Sequence, residues 1–286
     1  MRNDLQQIAD MLILNGTLTA CPGLVHGKMG IAIFFFHYAQ YTSNTLYEDY
    51  AMDLIGEIQG QLHNNSPADY ETGLAGIGVG MDYLMNNHFF CTDDDFFEDF
   101  DQRMYRAVMY DPWDGFSLYD GLSGYGKYWI MRLRQQASLK PARECLLRIA
   151  SCIAEKFPDI PANEQTDVFC FLQDLQKILG FDVGTNHALP LPEQCHLVWD
   201  VQLSDVIHSF SRLGDSAVGN LFRAYQRMQY FNFGLQDEFD LGLKQIPNLD
   251  MEKSPVGTGL LAGYAGEGML RLTALDKKHL SWLLLL

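Results

Sequence analysis

His26, Glu71 and Asp120 each stand one or two positions ahead of a glycine in this 286-residue chain. All three side chains are of types that move protons. Imidazole titrates near neutrality and suits acid–base work. Glu71 and Asp120, facing one opening, could serve as general acid and general base, the carboxylate pair that cleaves glycosidic bonds. Helix capping explains both carboxylates more cheaply. Cys21 and Cys170 add two thiols, and with His26 they form a donor set chemically suited to zinc with an open fourth position. Their spacing forms no local motif, so the other reading stands beside it: Cys170 as a core thiol, Cys21 in the turn before Pro22, and His26 bonded to loop carbonyls. Lys28, Tyr70, Tyr119, Tyr264 and Glu267 lie on the same kind of glycine-rich loop and are the candidate lining of a ligand pocket.

What must position these residues is a recurring glycine-led segment. "GLVHGKMGIAIFFFHYA" (23–39), "TGLAGIGVGMDYLMNN" (72–87), "DGLSGYGKYWIMRLR" (120–134) and "TGLLAGYAGEGMLRLTAL" (258–275) each read Gly-Leu, a short gap, glycines, then an apolar helix. With Gly27, Gly76, Gly124 and Gly263 as equivalent points, the intervals are 49, 48 and 139 residues, the last close to three periods of about 47. That spacing predicts two degenerate copies, at 167–179 and 213–228. A fixed period of this size marks a repeat architecture in which each unit buries its face against its neighbours.

Between these segments the pattern changes to one apolar stripe and one wet face. Residues 45–62, 94–110 and 138–157 each place apolar side chains at helical spacing, with charged residues opposite. Each period therefore holds an amphipathic outer helix and an apolar inner helix. Two concentric layers of helices are closed most simply by a ring, since an open stack leaves its ends bare. The expected fold is all-α, a single α/α toroid over residues 1–286 built from about six helical hairpins. Glycine permits the close approach that a crowded hub demands, and the same end of the ring is the expected pocket.

Composition narrows the partners. A formal charge of −16 and a pI near 4.7 argue against nucleic acid, whose phosphates call for clustered Lys and Arg. The acidic run 91–101 reads as a helix start, with Thr92 as N-cap and Asp93, Asp94 and Asp95 on the positive end of the dipole. Six scattered cysteines point to reduced thiols and a cytoplasmic setting. "LTAC" (18–21) imitates a lipoprotein signal, but the polar residues before it leave no apolar core for one. No run of about 20 apolar residues predicts a membrane span.

The Gly-Leu-x-x-Gly repeats, the His-Gly of "GLVHGKMG" and the paired helices together resemble the lanthionine synthetase C-like family. That resemblance implies an α-toroid whose glycine-rich end holds a zinc, which activates peptide cysteine thiols to add to dehydroalanine or dehydrobutyrine and form thioether rings. It also implies a proton-handling role for His26 and a peptide partner. The family draws its zinc ligands from a Cys-Gly-type loop and a Cys-His-Gly. Here the late loop reads "GLLAGYAGEG" and carries neither, while the adjacent pair Cys195-His196 is followed by Leu197 instead of glycine. The expectation is a divergent member that binds peptide without cyclising it and needs no cofactor; zinc, if held, falls to Cys21, His26 and Cys170, or else to Cys195 and His196. Two other functions fit the same residues: a carbohydrate-processing toroid using Glu71 and Asp120, and a non-catalytic scaffold.

Overall fold

The computed structural model describes residues 1–91, 96–179, 217–231, 236–244, 246, 249, 257–261 and 263–286. Among them every regular element is helical: α1 (Arg2–Gly16), α2 (Lys28–Thr42), α3 (Thr45–Gln61), α4 (Leu74–Asn86), α5 (Glu98–Met109), α6 (Leu122–Gln135), α7 (Lys140–Lys156), α8 (Ala162–Leu179), α9 (Ala217–Phe231), α10 (Gln236–Lys244) and α11 (Tyr264–Leu275). A 3-10 segment, Lys277–Leu285, closes the chain. The all-α expectation is met. Both degenerate copies are helices, α8 and α9, although α8 begins five residues ahead of the expected start.

Two kinds of helix alternate, for the reason the residue pattern implies. In α2 every residue from Lys28 to Ala39 is buried, so it has no wet face. In α5 burial is confined to Phe100, Met104 and Val108, one stripe at helical spacing. Asn44 caps α3 by accepting from the Leu46 amide, while Ser43, in the left-handed region at φ 53°, ends α2 and turns the chain. The expected cap of α5 is corrected. That helix starts at Glu98, with Phe97 preceding it, because Phe96, Phe97 and Phe100 gather as an aromatic cluster at the core edge. Thr92, Asp93, Asp94 and Asp95 lie outside the described residues.

The buried helices pack in succession. α2 lies against α4, α4 against α6, α6 against α8, α9 against α11, and α11 returns to α2. Across the remaining step, the Tyr230 hydroxyl of α9 donates to Asp174 of α8 at 2.8 Å. Outside this series, α3 covers α2, α7 covers α6, and α5 bridges α4 and α7. The first helix, α1, packs mainly on the last, α11, so the chain's opening element completes the pair begun by its final helix.

The glycine register is shifted from the expected one. Glycines at the helix N-caps are Gly27, Gly73, Gly121 and Gly263, spaced 46, 48 and 142 residues apart. Gly76 and Gly124 belong instead with Gly30 and Gly266, three residues inside their helices. At this inner row a side chain would run into the carbonyl six residues upstream. An added Cβ would stand 1.9 Å from Tyr70 O at Gly76, 2.1 Å from Leu118 O at Gly124 and 1.9 Å from Leu260 O at Gly266. Backbone must approach backbone here, and glycine alone allows it.

Candidate functional site

The glycine end is knitted together by main-chain groups. Each glycine-led helix has its first amide bonded to a carbonyl seven residues upstream: Lys28 to Cys21, Leu74 to Pro67, Leu122 to Gly115 and Tyr264 to Gly257, all at 2.9–3.0 Å. Neighbouring loops are then joined in a chain. Leu260 N donates to Val25 O at 2.8 Å, Val25 N to Glu71 O at 3.1 Å, and Glu71 N to Tyr119 O at 2.9 Å. The next unit, α8, has lost its glycine loop, and carboxylates stand in for the missing carbonyls. Asp167 accepts from Leu118 N at 2.8 Å and Glu164 from Phe116 N at 2.7 Å. Helix N-terminal amides that would otherwise be open to a ligand are in this way satisfied by the protein itself.

Within this belt the predicted site residues are scattered. His26 Nε2 meets Glu71 Oε1 at 2.8 Å, with both side chains partly exposed. Asp120 is exposed and accepts from the Ser117 hydroxyl, whose oxygen accepts the Asp120 amide at 3.2 Å. Lys28 turns away from the belt to pair with Glu57 of α3, leaving it only 3% exposed. Glu267 reaches along its own helix to the buried Arg271, which also faces Asp4 of α1. Tyr264, on the first turn of α11, is half-buried.

Tyr70 and Tyr119 point inward. Tyr70 is fully buried and its hydroxyl donates to Leu285 O at 2.7 Å. The Tyr119 hydroxyl is buried with no hydrogen-bond partner among the described residues, and burial pushes its acidity far below the ordinary phenol's. The structure places the side chains expected to line a pocket, Lys28, Tyr70, Tyr119, Tyr264 and Glu267, in two ion pairs, an interior clamp and a helix start.

The thiols do not gather either. Cys21 accepts from the Gly23 amide at 3.4 Å, and burial raises its pKa. Cys170 is buried on α8, facing the interior with Lys127, Asp167 and Asp174, and burial raises its pKa strongly. Among the described residues no three His, Cys, Asp or Glu side chains are placed to hold a metal ion, so Cys21, His26 and Cys170 do not form one centre. Cys195 and His196 lie outside the described residues.

A concave site does exist, at the opposite end of the buried helices. Its cavity of about 510 Å³ lies between the later turns of α4, α6, α8 and α9 and is bordered by the closing segment. Asp82, Tyr83 and Asn86 of α4 face it, with Lys127, Ile130, Met131 and Arg134 of α6, Asp174 and Lys177 of α8, and Tyr230 of α9. The closing segment is anchored from three sides. Tyr70 holds Leu285 O, the Tyr83 hydroxyl lies 3.2 Å from Ser281 Oγ and 2.7 Å from His37 Nε2, and Trp282 Nε1 donates to Thr273 Oγ1 at 2.9 Å. Trp282, Leu283, Leu285 and Leu286 are buried, while Leu284 is half exposed at the cavity wall.

Burial sets the electrostatics of this cavity. It lowers the Lys127 ammonium to about 8, against the pull of Asp174, Cys170 and Asp167, which favour the charged form. The Lys127 ammonium sits 5.0 Å from the centre of the Tyr70 ring, a cation–π contact. Burial also raises Asp82 and lifts the Tyr83 phenol to about 12. A smaller adjoining cavity shares Lys127 and Asp174 and is bordered by Gln226, whose Oε1 is buried without a partner among the described residues. Sequence reasoning missed this site. The signal was present in "GKYWIMRLR", where Lys127 and Arg134 stand seven residues apart and so share a face of an inner helix whose other charged residue, Arg132, pairs with Asp101.

No known family model matches the chain, and no curated protein matches it in sequence. Among the described residues no helix is long and apolar enough to cross a membrane.

Proposed function

We propose that this chain is a divergent α/α toroid of the lanthionine synthetase C-like type that binds a peptide without cyclising it. The succession of buried helices from α2 through α4, α6, α8, α9 and α11 back to α2 supports the ring. One observation carries the binding function. The interior already holds an apolar peptide, residues 281–286 of the chain itself, through hydroxyl contacts at Leu285 and Ser281 and burial of Leu283, Leu285 and Leu286. A groove that seats this segment beside about 510 Å³ of further space has the size and the mixed polar and apolar lining of a ligand site. The thiols that would bind zinc are separated, and the most buried of them, Cys170, is held in its protonated form.

Cyclisation leaves a peptide's mass unchanged but consumes a thiol, so the test counts thiols. Peptides carrying one cysteine and one dehydroalanine are incubated with the protein, labelled with a maleimide, and their binding is followed by fluorescence anisotropy. Saturable binding with full labelling is expected. Loss of labelling would show cyclisation, and a diverse peptide library with no saturable member would remove peptide binding altogether.

A further inference from the structure

The charges around the large cavity do not balance. From α4, Asp82 is held by the Gln135 amide. From α8, Asp174 accepts from Tyr230 and faces Lys177 at 3.6 Å, and Lys177 also lies over the Tyr230 ring. Both carboxylates are therefore engaged. From α6, Lys127 and Arg134 make no ion pair and no side-chain hydrogen bond among the described residues. They stand seven residues apart on one helix face, about 10 Å along its axis, with Lys127 half-buried and Arg134 exposed at the rim. Between them the wall is apolar, formed by Ile130, Met131 and the leucines of the closing segment. Asp174 and Asp167 favour the charged form of Lys127 but neither forms a contact ion pair with it among the described residues, and a partly buried ammonium left so is stabilised when a ligand supplies an opposite charge in contact.

From this we infer that the cavity takes a ligand in which a carboxylate is carried on an apolar chain, its charge meeting Lys127 or Arg134 and its chain lying along Ile130, Met131 and Leu284. This rests on the peptide-binding reading above for its preferred source, an apolar peptide ending in or bearing a carboxylate. A free aliphatic acid offers the same chemistry. The cation pair selects the charge, and the apolar wall selects what carries it.

The test titrates the full chain, by calorimetry, with four probes: N-acetyl-trileucine as its acid and as its amide, and decanoic acid and decanamide. The acids are expected to bind roughly 10- to 100-fold more tightly than the amides, the range of a charge-assisted contact. Lys127→Met and Arg134→Gln should each shrink that difference while leaving the circular dichroism spectrum unchanged; Arg134 is exposed, so its variant reads the charge apart from any change in stability at Lys127. Equal binding of acid and amide overturns the inference and leaves peptide binding standing. Preference for decanoic acid with no binding of either peptide upholds the carboxylate site and removes the peptide reading. Silence from all four probes overturns both.

Discussion

The two ends of the buried helices are built from different materials. At the glycine end, loop meets loop through amides and carbonyls, and side chains are excluded by contacts as short as 1.9 Å to an added Cβ. At the other end side chains from four helices line a cavity, and two of its cations, Lys127 and Arg134, make no contact ion pair among the described residues. The first end repeats because main-chain groups make the same bond in each of the four glycine-led units. The second does not repeat, because Asp82, Lys127, Asp174 and Tyr230 come from different helices and each occurs once in its unit. A repeat protein of this kind separates what holds the units together from what distinguishes one unit from the next.

That contrast can be broken most severely at the glycine end. Gly76→Ala places a methyl group against the Tyr70 carbonyl and the Leu24 side chain, with no flexible neighbour to give way. A loss of at least about 3 kcal/mol is expected, read as a lower urea midpoint or as insoluble protein. A stability within 1 kcal/mol of the parent, roughly, would mean the loops are not so tightly apposed.

At the cavity end the expected effect is smaller and opposite in sign. Lys127 titrates at about 8 in the folded chain, below the roughly 10.4 of an exposed lysine. Between those values the unfolded chain binds more protons, so stability rises with pH across that window. Lys127→Met should be more stable than the parent by about 2 kcal/mol at neutral pH, with the advantage fading as pH climbs from 8 towards 10.4. Urea midpoints measured for both proteins across that range give the answer, and a difference independent of pH would place the Lys127 ammonium in water.

The smallest change serves as the control on glycine itself. Gly60 lies on the exposed face of α3 with nothing within 4 Å of an added Cβ. Gly60→Ala should therefore stabilise the protein by roughly 0.5–1 kcal/mol through helix propensity alone. If Gly60→Ala and Gly76→Ala move the urea midpoint in the same direction, the distinction between the glycine end and the outer layer fails.

Much of the fold was legible because periodicity survives as residue type. The all-buried α2 follows from a stretch with hardly a polar residue after His26 and Lys28, and the stripes of α5 and α7 follow from their spacing. The glycine register was misread by three positions, since Gly76 and Gly124 sit in Gly-rich runs where several alignments fit equally well. The site was less legible. Lys28 next to His26 looks like a loop cation, yet helical geometry swings it under α3 to Glu57. Tyr70 and Glu71 are adjacent in sequence and face opposite ways, one to Leu285 in the interior and the other to His26 at the surface. Lys127 and Arg134 come from one helix, but the carboxylates they fail to meet come from others, and no local pattern records that mismatch.

The seam between α2 and α11 also fixes an order of events. The Phe34 ring lies over the bare backbone of Gly268, where an added Cβ would stand 2.3 Å from it, and a nascent chain makes Phe34 long before it reaches Gly268. Every shorter nascent chain carries that phenylalanine without its cover, so the flank of α2 is an adhesive edge throughout synthesis. Closing the seam between α2 and α11 is thus a long-range event that waits for α11 to be made.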